Sequence, residues 1–312
     1  MTNPRIVLVG AVWSTEIALR GLADAGCPPV LLITLPLQKS HWHSDFVDLE
    51  PIAQSIGVRT LRVDDVNSAD VIAAMTELQP DLVMVIGWSR LCGAEFLAVP
   101  GLGTLGYHPT LLPKMRGRAA LAWTIILDVR KSGGSLFWID DGVDSGPIAI
   151  QRSFELGGRE TLPDLIELQK QALADMIPAL IEQLSRGEKP ATVQDHSQAT
   201  YLAVRRPADG EIDWSRPADE IERLVRSASR PYPGAFTYLK GRKLLVWSAK
   251  TADYSNWQAQ IGQVFTYEDG APVVRCGGGT DLLITELEFA EARDPSTPAS
   301  TITGQPRLGL RK

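Results

Sequence analysis

Residues 5–10, RIVLVG, followed by 14–26, STEIALRGLADAG, and 29–34, PVLLIT, decide the fold. The first and third stretches are short β-rich apolar runs without alternation, the pattern of strands buried on both faces. The middle stretch puts Ile17, Leu19 and Leu22 on one apolar side, with Ser14 expected as N-cap and Gly26 as the stop. The rhythm continues through FVDLEPIAQSIG (46–57), TLRV (60–63), ADVIAAMTELQ (69–79) and DLVMVIG (81–87). Strand–helix alternation of this kind predicts an α/β domain, a Rossmann-like, mostly parallel sheet with helices on both faces. Ligands of such sheets bind beyond the carboxyl ends of the strands.

The strand ends are therefore where chemistry is expected. Gly10 is followed by AVWS, a single glycine rather than the glycine-rich fingerprint of a dinucleotide site, so a nicotinamide cofactor is not expected. DLVMVIG leads into WSRLC (88–92), and GTLGY (103–107) into HPTLLPKMRGRAALAW (108–123). GGSLFWI (133–139) leads into DDGVDSGPIAIQ (140–151). His108 and Asp144 are expected to project into one crevice. Two prolines follow the histidine and two glycines flank the aspartate, so the backbone is set to bend closely around a ligand. On pattern alone, a reactive pair and a plain connection both fit.

Residues 161–187 read as one long amphipathic helix ending at Gly187. The first domain is placed at 1–190 and an ordered linker at 191–210, with Tyr201, Leu202 and Val204 expected to dock. A second composition starts at Glu211. AFTYL, KLLVWSA, GQVFTYE, APVVRC and DLLITELEF are short strands separated by GR, EDG and GGG turns. They predict a smaller antiparallel barrel or sheet over 211–312, with little structure expected in 289–312.

Composition narrows the function classes. The chain has 312 residues, 44% hydrophobic and 22% charged, which suits a globular protein of about two domains. Its net charge is −6, so a large nucleic-acid footprint is not expected. Cys27, Cys92 and Cys276 are odd in number and widely spaced, without metal or disulfide spacing. His41 and His43, in KSHWHS, have no third ligand at a useful spacing, and no metal is expected. The N-terminus, MTNPRIVLVGAVW, is too weakly basic and its apolar run too short for a secretory signal. No run reaches the roughly 18 apolar residues of a membrane span, so a cytoplasmic location is expected.

GYHPTLLPKMRGRAALAW (106–123) followed by FWIDDGVDSGPI (137–148) resembles the 10-formyltetrahydrofolate-dependent formyltransferase family. That family includes methionyl-tRNA formyltransferase, sugar N-formyltransferases, the formyltransferase domain of the lipid A arabinose-modifying enzyme and the hydrolase domain of 10-formyltetrahydrofolate dehydrogenase. EIDWSRPADEI (211–221) and RPYPGAFTYLKGRKLLVW (230–247) are similar to its OB-like C-terminal domain. The resemblance spans nearly the whole chain.

The resemblance implies 10-formyltetrahydrofolate as donor and tetrahydrofolate as product. It implies His108 as the group that steadies the oxyanion and shuttles a proton, with Asp144 holding it. The backbone of Trp88, Ser89, Arg90 and Leu91 would edge the pterin. The loop Ile139–Asp144, including Asp140, Asp141 and Gly142, would close its other side. Arg116 and Arg118 would lie on the acceptor side, where paired N–H groups suit a carboxylate or phosphate. One position departs from the pattern. The family carries Asn two residues before the histidine, and here that position is Gly106. The hydrolase domain also lacks this Asn and shares Y-H-P-x-L-L-P and F-W-x-D-D-G. The leading expectation is an N-formyltransferase acting on a small amine, such as a nucleotide-linked amino sugar. A hydrolase releasing formate and a folate-binding protein with little catalysis are the alternatives. A homo-oligomer is left open.

Overall fold

The computed structural model describes residues 3–290. The elements run β1 (Ile6–Val9), α1 (Trp13–Asp24), β2 (Leu31–Thr34), α2 (Glu50–Ser55), β3 (Thr60–Arg62), α3 (Ala69–Leu78), β4 (Leu82–Val85) and α4 (Ala94–Leu97). They continue with β5 (Gly103–His108), β6 (Arg116–Gly117), α5 (Ala120–Ile126), β7 (Lys131–Trp138), β8 (Ile148–Glu155), α6 (Leu162–Ser185) and β9 (Tyr201–Leu202). The chain forms two compact units: residues up to 120 with 131–156 and 166–203, and residues 121–130 with 157–165 and those from 204 onward.

The first unit is built on a seven-stranded sheet ordered β3-β2-β1-β4-β5-β7-β8. Successive residues of each central strand point to opposite faces. Ile6, Leu8, Leu32, Leu82 and Met84 pack with α1 (Ala18, Leu19, Leu22) and α6 (Leu173, Met176, Ile177). Val7, Val9, Leu31, Ile33, Val83 and Val85 pack with Val71 and Met75 of α3 and Phe96 of α4. Both faces are thus covered, which is why these strands read as unbroken apolar runs. Each fully buried side chain of this size contributes about 1.5–3 kcal/mol. Strand order reverses between β1 and β4, and sheets of this kind bind ligands beyond the carboxyl ends of the strands at such a reversal.

Two details differ from the sequence expectations, the start of α1 and the place of Val204, and the mostly parallel sheet has its antiparallel strands at one edge. Helix α1 begins at Trp13 with Val12 as N-cap, so Ser14 lies in its first turn. Thr15 does the local work instead: its hydroxyl accepts from the Val12 N–H at 3.2 Å and donates to the Ile86 carbonyl at 2.6 Å. Strands β1 to β5 are parallel, whereas β7 runs antiparallel to β5 and β8 antiparallel to β7. Residues 109–130 return to the sheet at the end where β5 left it, which reverses the next strand. In the expected linker, Tyr201 and Leu202 form β9 beside β6, but Val204 is exposed.

The second unit adds α7 (Ala218–Ser227), β10 (Ala235–Leu239), β11 (Arg242–Ala252), β12 (Val264–Glu268), β13 (Ala271–Arg275) and β14 (Asp281–Phe289). Its five strands form an antiparallel sheet ordered β10-β11-β14-β13-β12. Trp214, Ile221, Val225, Leu244, Val246, Val274 and Leu282 make its core. Most of the tail expected to be weakly structured, residues 291–312, lies outside the described residues.

Candidate active site

His108 is the last residue of β5 and is buried, 5% exposed. Its Nε2 lies 2.7 Å from the Met115 carbonyl oxygen. A carbonyl only accepts, so this ring nitrogen carries the proton. Nδ1 lies 3.5 Å from Asp144 Oδ2, too long for a strong hydrogen bond and near enough for an ion pair. The same Oδ2 accepts the Gly117 N–H at 2.8 Å. Because β7 is antiparallel, the loop that carries Asp144 starts beside Thr104, whose oxygen accepts the Ile139 N–H at 2.8 Å. The loop then doubles back to reach His108. Asp144 itself has φ +48°, in the left-handed region that few side chains other than Asn and Asp enter readily.

Two buried polar side chains, Ser135 and Gln169, and the half-buried Gln151 hold the loop after His108. Ser135 Oγ donates to the Thr110 carbonyl at 2.6 Å and accepts the Leu112 N–H at 3.2 Å. Gln151 Nε2 donates to the Leu112 carbonyl at 3.0 Å and to Ser135 Oγ at 2.8 Å. Gln169 of α6 donates to the carbonyls of Pro109 and Gly133 and accepts the Tyr107 hydroxyl. Burial pushes the Tyr107 phenol far up, so it remains a neutral donor. These partners satisfy backbone groups that no sheet ladder reaches. Sequence reasoning missed all three; their only signal is a polar residue on an otherwise apolar strand or helix face.

Gly106 sits two residues before His108 on β5. A Cβ there would lie 2.9 Å from Cε1 and Cζ of Phe137 and 3.3 Å from Ile139 Cγ1. The Phe137 ring fills the space a side chain at 106 would need. The Asn of the family pattern is absent here, and a side chain at this position would have to displace the Phe137 ring.

The two arginines expected on the acceptor side part ways. Arg116 is 1% exposed. Its guanidinium donates to Gln194 Oε1 at 2.7 and 3.2 Å and to the Tyr201 hydroxyl at 3.1 Å, and approaches His196 Nδ1 at 3.1 Å. It is committed to the protein and is not presented to a solute, which corrects the sequence expectation. Gly117 between them has φ +107°, and a Cβ there would strike the Leu202 oxygen at 2.5 Å, so glycine lets β6 pass close to β9. Arg118 is exposed and donates to the Ser89 carbonyl.

The residues expected to edge a pterin lie on irregular backbone beyond β4. Trp88 is half-buried, and its indole N–H is a buried donor without an acceptor. Leu91 is 90% exposed. Arg90 donates to the Asp64 carbonyl at 2.5 Å and stacks 4.0 Å from the Trp42 ring centre. Ser89 Oγ lies 3.4 Å from His43 Nε2. Burial lowers the His43 pKa, and the neighbouring Arg118 and Arg90 lower it further against the pull of Asp45. Burial raises the Asp45 carboxyl. In the facing loop, Asp140 Oδ1 accepts from the Gly142 N–H at 3.1 Å and from Ser145 Oγ at 2.7 Å, while Asp141 is exposed. Asp140 thus shapes the turn. Among the described residues, no three His, Cys, Asp or Glu side chains are grouped to hold a metal, and no helix is long and apolar enough to cross a membrane.

Comparison with known proteins settles the family. Residues 45–181 match the formyl transferase family model, and residues 205–306 match the model of the formyl transferase C-terminal domain. The chain belongs to the formyl transferase family. Within that family it is 32% identical to the methionyl-tRNA formyltransferase of Anaeromyxobacter dehalogenans over 264 residues, 83% of each chain. Solved structures share the fold. HypX from Aquifex aeolicus in complex with tetrahydrofolic acid matches 93% of this chain and 45% of its own, with TM-score 0.64 and 17% identity. WlaRD, a sugar 3N-formyl transferase solved with dTDP and 5-N-formyl-THF, matches 94% of this chain and all of its own, with TM-score 0.63 and 13% identity. The fold expected from the sequence, a mostly parallel sheet with helices followed by an antiparallel β unit, is the fold of this family.

Proposed function

We propose that the protein transfers the formyl group of 10-formyltetrahydrofolate to an amine, with His108 and Asp144 as the catalytic pair in residues 1–190. The observation that carries this reading is the buried His108 ring, fixed by the Met115 carbonyl on one nitrogen and facing Asp144 at 3.5 Å on the other. The acceptor nitrogen attacks the formyl carbon, and the carbonyl oxygen becomes an oxyanion. With Nε2–H held by the Met115 carbonyl, Nδ1 is the ring nitrogen that, when it carries a second proton, donates to that charge, a kind of help whose loss costs about 3 kcal/mol elsewhere. Asp144 takes the proton released by the amine. Collapse breaks the bond from the formyl carbon to N10, and N10 receives the proton.

The chain's own residues suit the donor. Trp88 offers an unused buried N–H, and Leu91 an exposed apolar face beside irregular backbone, as a flat heterocycle rich in donors and acceptors requires. For the acceptor, Arg118 is the guanidinium left for a phosphate or carboxylate. A small anionic amine, such as a nucleotide-linked amino sugar, fits this group, while the net charge of −6 disfavours a large polyanion. The similarity to a methionyl-tRNA formyltransferase makes methionyl-tRNA the other acceptor to test.

A second reading is hydrolysis of the same donor, with water as nucleophile. The Phe137 ring over Gly106 favours it, because no side-chain amide stands beside His108 to hold a formyl oxygen. The test is tetrahydrofolate release from 10-formyltetrahydrofolate with no acceptor, with an amino-sugar nucleotide and with methionyl-tRNA. Release that depends on an amine supports transfer. Equal release without any amine replaces transfer by hydrolysis, and no release under any condition overturns both.

A further inference from the structure

Gln194 lies in the segment between α6 and β9 that reads as a linker, yet it is 4% exposed and uses its whole amide. Its Oε1 accepts two N–H groups of Arg116, at 2.7 and 3.2 Å. Its Nε2 donates to the backbone carbonyl of Asp144 at 2.9 Å and to that of Gly146 at 2.6 Å. We propose that Gln194 is a positioning residue for the Asp144 loop. Backed by the buried Arg116, its amide grips the loop on both sides of Ser145 and holds Asp144 in the left-handed conformation that aims its carboxylate at His108. The proposal rests on the formyl-transfer reading for its functional half.

The physical case has three parts. Aspartate enters the left-handed region more readily than most residues, but it does not prefer it, so the conformation needs partners to hold it there. The Asp144 side chain is held to backbone, among the described residues, by the Gly117 N–H, a bond that leaves its own φ and ψ unconstrained. The two carbonyl grips from Gln194 supply the missing constraint. Next, Arg116 is a buried cation whose hydrogen-bond partners are all neutral side chains, Gln194, Tyr201 and His196. Its charge draws electron density toward Gln194 Oε1 and so makes Nε2–H₂ a stronger donor, as in other hydrogen-bonded chains of low local dielectric. Finally, the amide cannot be reversed. Only an oxygen suits Arg116, and only N–H groups suit two carbonyls, which fixes the orientation of Gln194.

Gln194→Glu separates the grip from mere packing. The new carboxylate still accepts from Arg116 but turns an oxygen toward two carbonyl oxygens. The expected variant has a Tm at or above that of the wild type. Exchange of the Gly117 amide, whose acceptor is Asp144, rises by about tenfold while the β5 amides are unchanged. The kcat falls by about 100-fold with the donor KM within about twofold, as misplacement of a reacting group does. The double variant Arg116→Met with Gln194→Met removes both polar partners at once, keeps an apolar filling, and is expected to show the same exchange and kcat changes. A folded variant with wild-type Gly117 exchange overturns the grip. Raised exchange with wild-type kcat overturns its role in the reaction. Wild-type protein that releases no tetrahydrofolate sinks the formyl-transfer reading instead, and Gly117 exchange still decides the grip.

Discussion

Around His108 and Asp144, the side chains of Arg116, Gln194, Gln169, Gln151 and Ser135 direct hydrogen bonds to other groups of the protein. Farther out, Arg118 donates to the Ser89 carbonyl, Arg90 to the Asp64 carbonyl and over the Trp42 ring, and Lys39 lies 3.9 Å from the Asp64 carboxylate. The interior is a polar network that sets geometry, and the rim is a row of cations. Arg116 and Arg118 make the contrast at two residues' distance. One is buried and fully bonded, and the other is exposed.

The largest effects should follow from the interior pair. His108→Ala and Asp144→Asn each lower kcat by about 100- to 10,000-fold while donor binding stays within a few fold. The asparagine preserves the Gly117 hydrogen bond, so its loss of rate isolates the carboxylate's charge. Near-wild-type kcat in either variant would remove the pair from the chemistry.

The two arginines give the next contrast. Arg116→Met leaves Gln194, Tyr201 and His196 short of a partner and is expected to destabilise by about 1–3 kcal/mol in denaturant unfolding. Arg118→Met should move stability by less than about 0.5 kcal/mol and raise the KM of an anionic acceptor by about tenfold, the loss of one charged hydrogen bond. Equal behaviour of the two variants would erase the distinction between interior and rim.

Gly106→Ala should destabilise by about 1–3 kcal/mol, because its Cβ meets the Phe137 ring at 2.9 Å. Adding Phe137→Leu should recover most of that loss. If Gly106→Ala is neutral by itself, the ring does not confine this position.

The smallest effect concerns the rim's histidine. Burial lowers the His43 pKa, so the folded state binds that proton less readily than the unfolded chain. Stability from this group is complete above the ordinary imidazole value and is lost as pH falls through it toward the lowered folded value. Between pH 7 and 5.5 the wild-type Tm should therefore fall more than that of His43→Gln. A parallel fall in both proteins would remove His43 from the acid response.

The parts of this architecture legible in sequence are those written in periodic burial. The apolar runs of β1, β2 and β4 announce strands covered on both faces, and GYHPTLLP with DDGVDSG marks the two segments that meet. The direction of β7 was not legible, because direction is set by where residues 109–130 re-enter the sheet and not by any pattern within 131–138. The burial of Arg116 was hidden for a related reason. Its partners Gln194, His196 and Tyr201 lie some 80 residues away in a stretch that looks like a polar linker. The left-handed backbone at Asp144 left no sign either, since aspartate is common in ordinary turns.

The central claim is that His108 and Asp144 move a formyl group, and the fate of the formyl carbon tests it most directly. The protein is incubated with 10-formyltetrahydrofolate carrying ¹³C in the formyl group and an amine acceptor, and the label is followed by NMR. The label is expected to leave the folate for a new N-formyl group, and Asp144→Asn is expected nearly to stop its departure. Label that stays on the folate with wild-type protein, or leaves it equally fast with Asp144→Asn, would show that His108 and Asp144 do not move the formyl group.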